Sequence, residues 1–477
     1  VRYEYDPCGQ AVASIAPGGA VTRFEYDQRG HPAGVIDALG HRTQYTCDIL
    51  GNLIQIVDAL GHVTRYEYDR NGNLTRAIEP GGSETHCVYD ADGNLLRHLD
   101  PAGNLTQQAY SALGHVLKRE TPDGNVVEYC YDTEERLIGV VNKRGARYEM
   151  KRDALGRIVE EIDFWRQPRR YRYGPLGQLD RSIDPLGQEI VYVTDTVGRI
   201  VEKQVEDPRQ PDGVRTEHFS YDRFGRLIVA ASPDGRVEMR YDEAGRLVEE
   251  RQDDFSITHR YDDAGRRIER CTNISVAGAT IAHTVRYGYD ARGEIDSIQI
   301  DDALPFRLER DPMGRVCVER LGDQLRRDYS YTPAGELARQ ILLADAGPVF
   351  ATEYAYDPNR EIKERCDSRL GMERFDYDRM GKLTAHLDPA GKLHRFLYDR
   401  AGDLLSTRVR EDGRRGGGTW LREGEYAGCR YTFDRIGNLL RKQEEQQDLR
   451  LRWDGDGLLV EALSVRRAVA PEDGALR

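Results

Sequence analysis

The sequence predicts an all-β protein: tandem antiparallel β-hairpin repeats joined into one long spiralling sheet that forms a hollow shell. Three observations predict it. The pattern Tyr-Asp-x-x-Gly-x-Leu recurs every 21 residues through the first part of the chain. Turn-forming residues return too often for helices of ordinary length. Hydrophobic residues make up 39% of the chain, below the roughly 45–50% of ordinary globular domains. Intervals of this length mark stacked arrays, which are built by contacts between neighbouring units.

Residues 66–86 serve as the type unit. The first turn is Asp69-Arg70-Asn71-Gly72. Asp at its head can cap its own backbone, and Gly at its end takes a conformation that other residues avoid. The second turn is Glu79-Pro80-Gly81-Gly82, with equivalents at Asp100-Pro101-Ala102-Gly103 and Asp184-Pro185-Leu186-Gly187. Pro at the second turn position has its φ already set. Between turns lie stretches of strand length. Tyr66 and Tyr68, Tyr129 and Tyr131, Tyr171 and Tyr173, and Phe375 and Tyr377 alternate, so each pair shares one sheet face. Stacked units are expected to bring these rings together as cross-strand neighbours.

The structural repeat positions run Tyr5-Asp6 with Gly9, Tyr26-Asp27 with Gly30, Tyr68-Asp69 with Gly72 and Leu74, Tyr89-Asp90 with Gly93 and Leu95, and Tyr131-Asp132. Cys47-Asp48, Tyr110-Ser111, Arg152-Asp153, Tyr173-Gly174 and Thr194-Asp195 hold the same register. Later copies include Tyr221-Asp222 with Gly225, Tyr241-Asp242 with Gly245, Tyr377-Asp378 with Gly381, and Tyr398-Asp399 with Gly402. Further copies stand at Tyr261, Tyr289, Arg310, Tyr331, Tyr356, Phe433 and Trp453. The organisation is therefore a strict array over 1–201, an insertion loop at 202–216, and continued repeats over 217–405 with insertions near 271–285 and 341–353. A Gly- and Arg-rich insertion at 406–430 follows, containing Gly413-Arg414-Arg415-Gly416-Gly417-Gly418. Truncated terminal repeats fill 431–477. The insertions read as loops on one rim of the array.

Two strands per unit give roughly 42 strands, a ribbon of about 200 Å at about 4.8 Å per strand. Open sheets seldom exceed about ten strands without curling, because strand twist accumulates. The ribbon should coil, and a coil of polar-faced sheet leaves a hollow; a flat or rod-like solenoid is the alternative. Tyr outnumbers Phe 27 to 10, which suits rings that bridge apolar contact and water.

A net charge of −13 argues against nucleic acid as a partner, because phosphate binding needs clustered Lys and Arg. The eight cysteines (Cys8, Cys47, Cys87, Cys130, Cys271, Cys317, Cys366 and Cys429) show neither Cys-x-x-Cys nor zinc-ligand spacing and read as free thiols. Cys47 stands in a Tyr position and behaves as a small hydrophobe. No apolar run approaches a membrane span. His41 and His62 both sit in Asp-Ala-Leu-Gly-His, the second turn of successive units. The Asp-x-x-Gly turns match neither calcium solenoids nor EF-hands. No catalytic, cofactor or metal residues are assigned, and no enzyme is expected in this stretch. Val1 opens inside a unit and Arg477 falls midway through another, so the chain reads as the middle of a longer polypeptide.

Tyr68-Asp69-Arg70-Asn71-Gly72-Asn73-Leu74 with Thr64-Arg65-Tyr66, and Tyr89-Asp90-Ala91-Asp92-Gly93-Asn94-Leu95 followed by Asp100-Pro101-Ala102-Gly103-Asn104, resemble the RHS or YD repeat. The similarity covers nearly the whole chain and is nearest to bacterial Rhs proteins. Related repeats occur in C components of insecticidal toxin complexes and in teneurins. The resemblance implies a β-cocoon that holds a C-terminal toxin domain of the same polypeptide. It further implies a PAAR-like N-terminal region on a type VI secretion spike, with an adaptor chaperone. Such a protein is made in the bacterial cytoplasm and delivered to a target cell. The family's self-cleaving core ends in Asp-Pro-x-Gly-Leu. Asp388-Pro389-Ala390-Gly391-Lys392 lacks the closing Leu, as does Asp311-Pro312-Met313-Gly314-Arg315, and no protease role is carried onto them.

The expected function is a structural shell segment that encapsulates a toxin. The alternative is a carbohydrate-binding or adhesive surface module, since exposed Tyr ladders stack on sugars. Rings packed between strands favour the shell; rings open along a groove favour the glycan.

Overall fold

A computed structural model describes residues 1–276, 279–403, 406–411, 420–426 and 428–466. The segment Gly413-Arg414-Arg415-Gly416-Gly417-Gly418 lies outside the described residues. The described residues contain 43 strands and no helix. Strands adjacent in sequence pair antiparallel. Val63–Tyr68 pairs with Leu74–Ile78, which pairs in turn with Glu84–Tyr89. One sheet holds 37 strands, through Leu393–Arg395, and a second holds six, from Ser406–Glu411 to Leu459–Arg466.

Most of the repeat hairpins close by the same local chemistry. The Gly72 N–H donates to the Asp69 carbonyl at 3.1 Å, and the Asp69 N–H donates to the Asn73 carbonyl at 2.9 Å. Gly72 has φ of 84°, so a type I turn runs into a left-handed residue and a bulge. The second turn repeats this at Gly82, whose N–H meets the Glu79 carbonyl at 2.8 Å. On the strand side, Glu67 faces Arg76 while Tyr68 faces Leu74, so the register skips Thr75. The same slip recurs before Cys47, Tyr110, Tyr173, Tyr331 and Tyr377. A bulge in each of these Tyr-Asp hairpins adds local twist.

Burial is shallow throughout. Ala13, Val205 and Val318 are the hydrophobic residues fully buried among the described ones. Every residue of Leu53–Val57, Leu74–Ile78 and Leu383–Leu387 is half-buried, whichever face it takes. Two-layer domains bury one sheet face against a second layer; no such packed core forms here among the described residues.

Two expectations need correction. The insertions near 271–285 and 341–353 are not rim loops. They lengthen strands, giving Arg267–Val276 paired with Ala279–Tyr289, and Leu337–Ala344 paired with Gly347–Tyr356. Their β-branched and aliphatic residues (Thr272, Ile274, Ile341, Leu342) continue the ladder instead of leaving it. Near 202–216 the extra residues divide between a longer strand, Ile200–Glu206, and a wide turn before Val214–Tyr221. Nor do the repeat rings face each other across strands. Tyr66 faces Ala77, Tyr129 faces Val140, and Tyr171 faces Ser182, because a return strand intervenes between successive copies.

The chain divides into two compact units. The first comprises Val1–Gly124 and Met239–Phe396; the second comprises Asn125–Glu238 and Leu397–Arg477. Each unit therefore unites an earlier and a later segment of the ribbon.

Candidate functional site

The repeat letters act at the turn edges. Asp6, Asp27, Asp69, Asp90, Asp132, Asp222, Asp242, Asp378 and Asp399 each head a turn with the two backbone hydrogen bonds described above. Gly9, Gly30, Gly93, Gly225, Gly245, Gly381 and Gly402 close their turns at positive φ. The carboxylates complete the caps. Asp69 Oδ1 accepts from the N–H groups of Asn71 and Asn73, and its Oδ2 accepts from the Asn73 side chain at 3.0 Å. From Asp132 onward Arg commonly takes over that last place: the Nε–Oδ2 distance is 2.8 Å for Arg157 and Asp153, and 2.7 Å for Arg246 and Asp242.

The Tyr letter reaches backward. The Tyr68 hydroxyl donates to the Leu53 carbonyl at 2.9 Å, and Tyr110 does the same to Leu95 at 3.0 Å. Each acceptor is the Leu position of the preceding copy. Tyr26, Tyr221 and Tyr377 repeat the contact on Ala11, Ile200 and Ile362. Where the letter changes, a donor usually survives: Arg152 reaches Leu137, Arg310 reaches Ile295, and Trp453 Nε1 reaches Leu439. Cys47 keeps only a long thiol contact to Pro32, at 3.8 Å. The Tyr241 hydroxyl also meets the Met239 sulfur, at 3.8 Å. Tyr5 is exposed and packs beside Tyr3.

The Arg caps then bind the next copy. Arg157 lies 4.6 Å from the Tyr173 ring centroid, Arg199 4.8 Å from Tyr221, and Arg315 4.4 Å from Tyr331. A guanidinium over a ring face is a favourable electrostatic contact. Asp, Arg and the following Tyr thus form a relay that crosses from each copy to the next. A guanidinium thus stands over each of these rings, whose hydroxyl is held by a backbone carbonyl. His41 and His62 are likewise tied, each Nδ1 lying 3.0 Å from the Asp that heads its own turn.

A second level of contact joins distant turns within each unit. In the first unit Arg292 Nη1 lies 3.3 Å from Asp37, and Asn359 bridges the Asp100 carboxylate at 2.8 Å and the Ala102 N–H at 3.0 Å. Arg360 pairs with Glu79 and with Glu336. Arg360 occupies a place normally held by Gly, at φ of 66°. Non-Gly residues there are strained, and strain of this kind collects at functional positions. A cavity of about 980 Å³ opens beside the Asp37–Arg292 contact, lined in part by Pro17, Leu39, Ala291 and Arg292.

In the second unit Arg144 pairs with Asp399 and Asp403, and Trp165 lies between the guanidinium groups of Arg144 and Arg422, at 5.5 and 5.3 Å. Arg215 Nη1 meets Asp454 at 2.8 Å and its Nη2 meets Asp456 at 3.0 Å. Asp207 and Asp454 are fully buried, and Arg215 nearly so. The Arg209 side chain bonded to Asp207 holds that carboxyl at about 2. The Gly455 N–H donates to the Glu206 carbonyl at 3.1 Å. In both units the second turns of the earlier segment meet Tyr-Asp turns of the later one. The separations run from 239 to 281 residues, about twelve repeats.

Sequence reasoning placed the turn letters but missed two features. The Tyr target is a backbone carbonyl, which has no letter of its own. The distant pairs use Arg and Asp, which are common throughout. The recurring Asp-x-x-Gly-Arg was a legible signal for the Arg relay alone, as at Asp153–Arg157, Asp195–Arg199 and Asp311–Arg315.

Taken together, these contacts define a tandem-hairpin repeat protein whose turn edges carry its specific interactions. The RHS Repeat family model matches residues 26–59, 48–84, 89–126 and 221–254. These segments of the chain carry RHS repeats. The chain is 27% identical over 375 residues to the double-stranded DNA deaminase toxin A of Burkholderia cenocepacia (strain H111), covering 69% of this chain and 24% of that protein. Its fold is shared with the crystal structure of TcdB2–TccC3–TEV at 15% identity and a TM-score of 0.51, over 99% of this chain and 30% of that one. A Photorhabdus luminescens Tc holotoxin pore matches at 15% identity and a TM-score of 0.50, with the same coverage. The chain thus spans about a quarter to a third of the lengths of these proteins.

Proposed function

We propose that this chain is a wall segment of a bacterial toxin shell, which encloses a toxin domain of the same polypeptide until delivery. The observation that carries the reading is the return of the ribbon upon itself. In each unit, turns about twelve repeats apart lock together through specific polar pairs. A ribbon that meets itself at that interval encloses space. The accessible surface of 29877 Å² supports this, against about 18,000 Å² for a compact protein of this mass. A sheet without a buried core has two solvated faces, one of which can line a chamber.

The likeness to a deaminase toxin and to Tc toxin assemblies supports a toxin context. Delivery through a type VI spike, with a PAAR-like region and an adaptor chaperone, is the route this reading favours. The tied hydroxyls and guanidinium-stacked rings of the repeat Tyr favour a wall over a glycan-binding surface.

The test uses the full-length polypeptide in its producer. Deleting one unit, residues 66–86, shortens the stretch between Asp37 and Arg292, removes Glu79 from its pair with Arg360 and leaves the Asp100–Asn359 separation unchanged, so the ties of the first unit no longer share one register, and it exposes the producer to its own toxin. Substituting one exposed strand residue leaves the producer protected. Equal protection by both variants overturns the proposal.

A further inference from the structure

We propose that the sheet face bearing Tyr66 lines the chamber, and that its aromatic stripe holds the enclosed toxin segment as an extended, partly unfolded polypeptide. The inference rests on the shell reading above and adds which face looks inward and what it touches. The position two places before the repeat letter carries Phe24, Tyr45, Tyr66, Tyr129, Tyr192 and Tyr354, and in no copy is it Asp, Glu, Lys or Arg. Strand alternation puts this column on one face of the sheet. The residues flanking it point to the other face, where charges pair across strands. Arg76 lies 2.9 Å from Glu67, Arg260 3.3 Å from Glu269, and Arg374 3.2 Å from Glu364.

Along the strands that lead into Tyr-Asp turns, exposure follows the face and not the residue type. On the charged face even Val88 and Val193 are exposed, by 49 and 43%, and so are Ala109, Ser220 and Ala355. On the aromatic face Tyr66, Cys87, Tyr129 and Tyr192 are half-buried, and Thr352 and Glu373 are buried. A curling sheet crowds side chains on its concave face and spreads them on its convex one. The aromatic face is thus the inner one in each unit. The charged face meets bulk water, as the polar face of a two-faced antiparallel sheet does.

The stripe has unused bonding capacity. The Tyr68 hydroxyl is tied to the Leu53 carbonyl. Among the described residues no hydrogen bond engages the hydroxyls of Tyr45, Tyr66, Tyr129 and Tyr192. A ring with a free phenol takes apolar side chains on its body and a backbone N–H or C=O at its tip. An unfolded chain offers both at every residue, whatever its sequence. Copies recur every second strand, about 10 Å apart, so an extended chain lying along the ribbon meets one ring about every three residues. Sugar recognition instead needs fixed polar groups beside the ring, and the neighbouring strand places Ala77 opposite Tyr66.

The test uses the full-length polypeptide and reads enclosure and facing separately. The photo-crosslinking residue p-benzoylphenylalanine replaces Tyr66 or Tyr129 on one face, and Glu67 or Glu128 on the other. Two sites on each face cover the failure of any one variant to fold, which circular dichroism detects. Mass spectrometry after illumination is expected to find toxin-domain peptides captured at 66 and 129 and none at 67 and 128. Protease added to the unilluminated protein reports enclosure, and the toxin domain is expected to survive it. Toxin capture at 67 and 128, or at none of the four sites, with the toxin domain still resistant, overturns this inference and leaves the shell reading standing. Digestion of the toxin domain overturns the shell reading and this inference with it. Binding of the folded chain to a glycan array that falls with Tyr66→Ala and Tyr129→Ala puts the aromatic face outside and also overturns the inference.

Discussion

At the scale of single residues, the hydroxyl of the repeat Tyr is an inter-copy fastener. A phenylalanine would keep the ring and drop only the donor. Tyr68→Phe therefore leaves the Leu53 carbonyl without its side-chain donor and costs about 1 kcal/mol. Tyr5→Phe, at an exposed ring, serves as the neutral comparison. Urea denaturation of the two variants separates them; equal midpoints would sink the fastener role. The spacing of tyrosines was plain from the sequence, as was their shared face. Their target was not, because any residue supplies a backbone carbonyl.

At the scale of the hairpin, stability is tied to carboxylates. The Asn73 side chain holds the Asp69 carboxyl below its ordinary value, and the Arg157 side chain does the same for Asp153. The backbone N–H of Arg246 is the main cause at Asp242. A carboxyl with a lowered folded value contributes stability that is complete above the unfolded value of 3.8 and is lost as pH falls through the folded value. The denaturation midpoint at pH 3 is therefore expected below that at pH 7, with the difference reduced when Asp69, Asp153 and Asp242 become Asn. Superimposable curves at the two pH values would contradict this. The turns themselves were legible, since Asp at the head and Gly at the close have separate physical reasons. The insertions were misread because length alone does not distinguish a loop from a longer pair of strands. The β-branched residues at Thr272 and Ile274 carried that information.

At the scale of the whole molecule, each unit depends on a few ties between distant segments. Arg215→Ala takes the nearer cation from the buried Asp454 carboxylate in the second unit, leaving it Arg209 at 3.4 Å and the N–H groups of Asp456 and Leu458, at a cost near the lower end of about 3–5 kcal/mol. The exposed pair of Arg240 and Glu249 should cost less than about 1 kcal/mol when broken by Arg240→Ala. Chemical denaturation of the two variants makes the comparison, and similar losses would remove the special standing of the buried tie. The β class and the near number of strands were legible from the period. The distant ties were not, because no local pattern encodes a partner 239 residues away.

The donor that reaches back to the previous copy has consequences for how such arrays change over evolutionary time. Arg152, Arg310 and Trp453 all perform the Tyr task. Any side chain long enough to hand a proton donor across one strand preserves the join. The aromatic letter that makes these copies recognisable is thus open to replacement, while the geometry it serves persists. Old members of the array can lose their signature and still hold their neighbours in place.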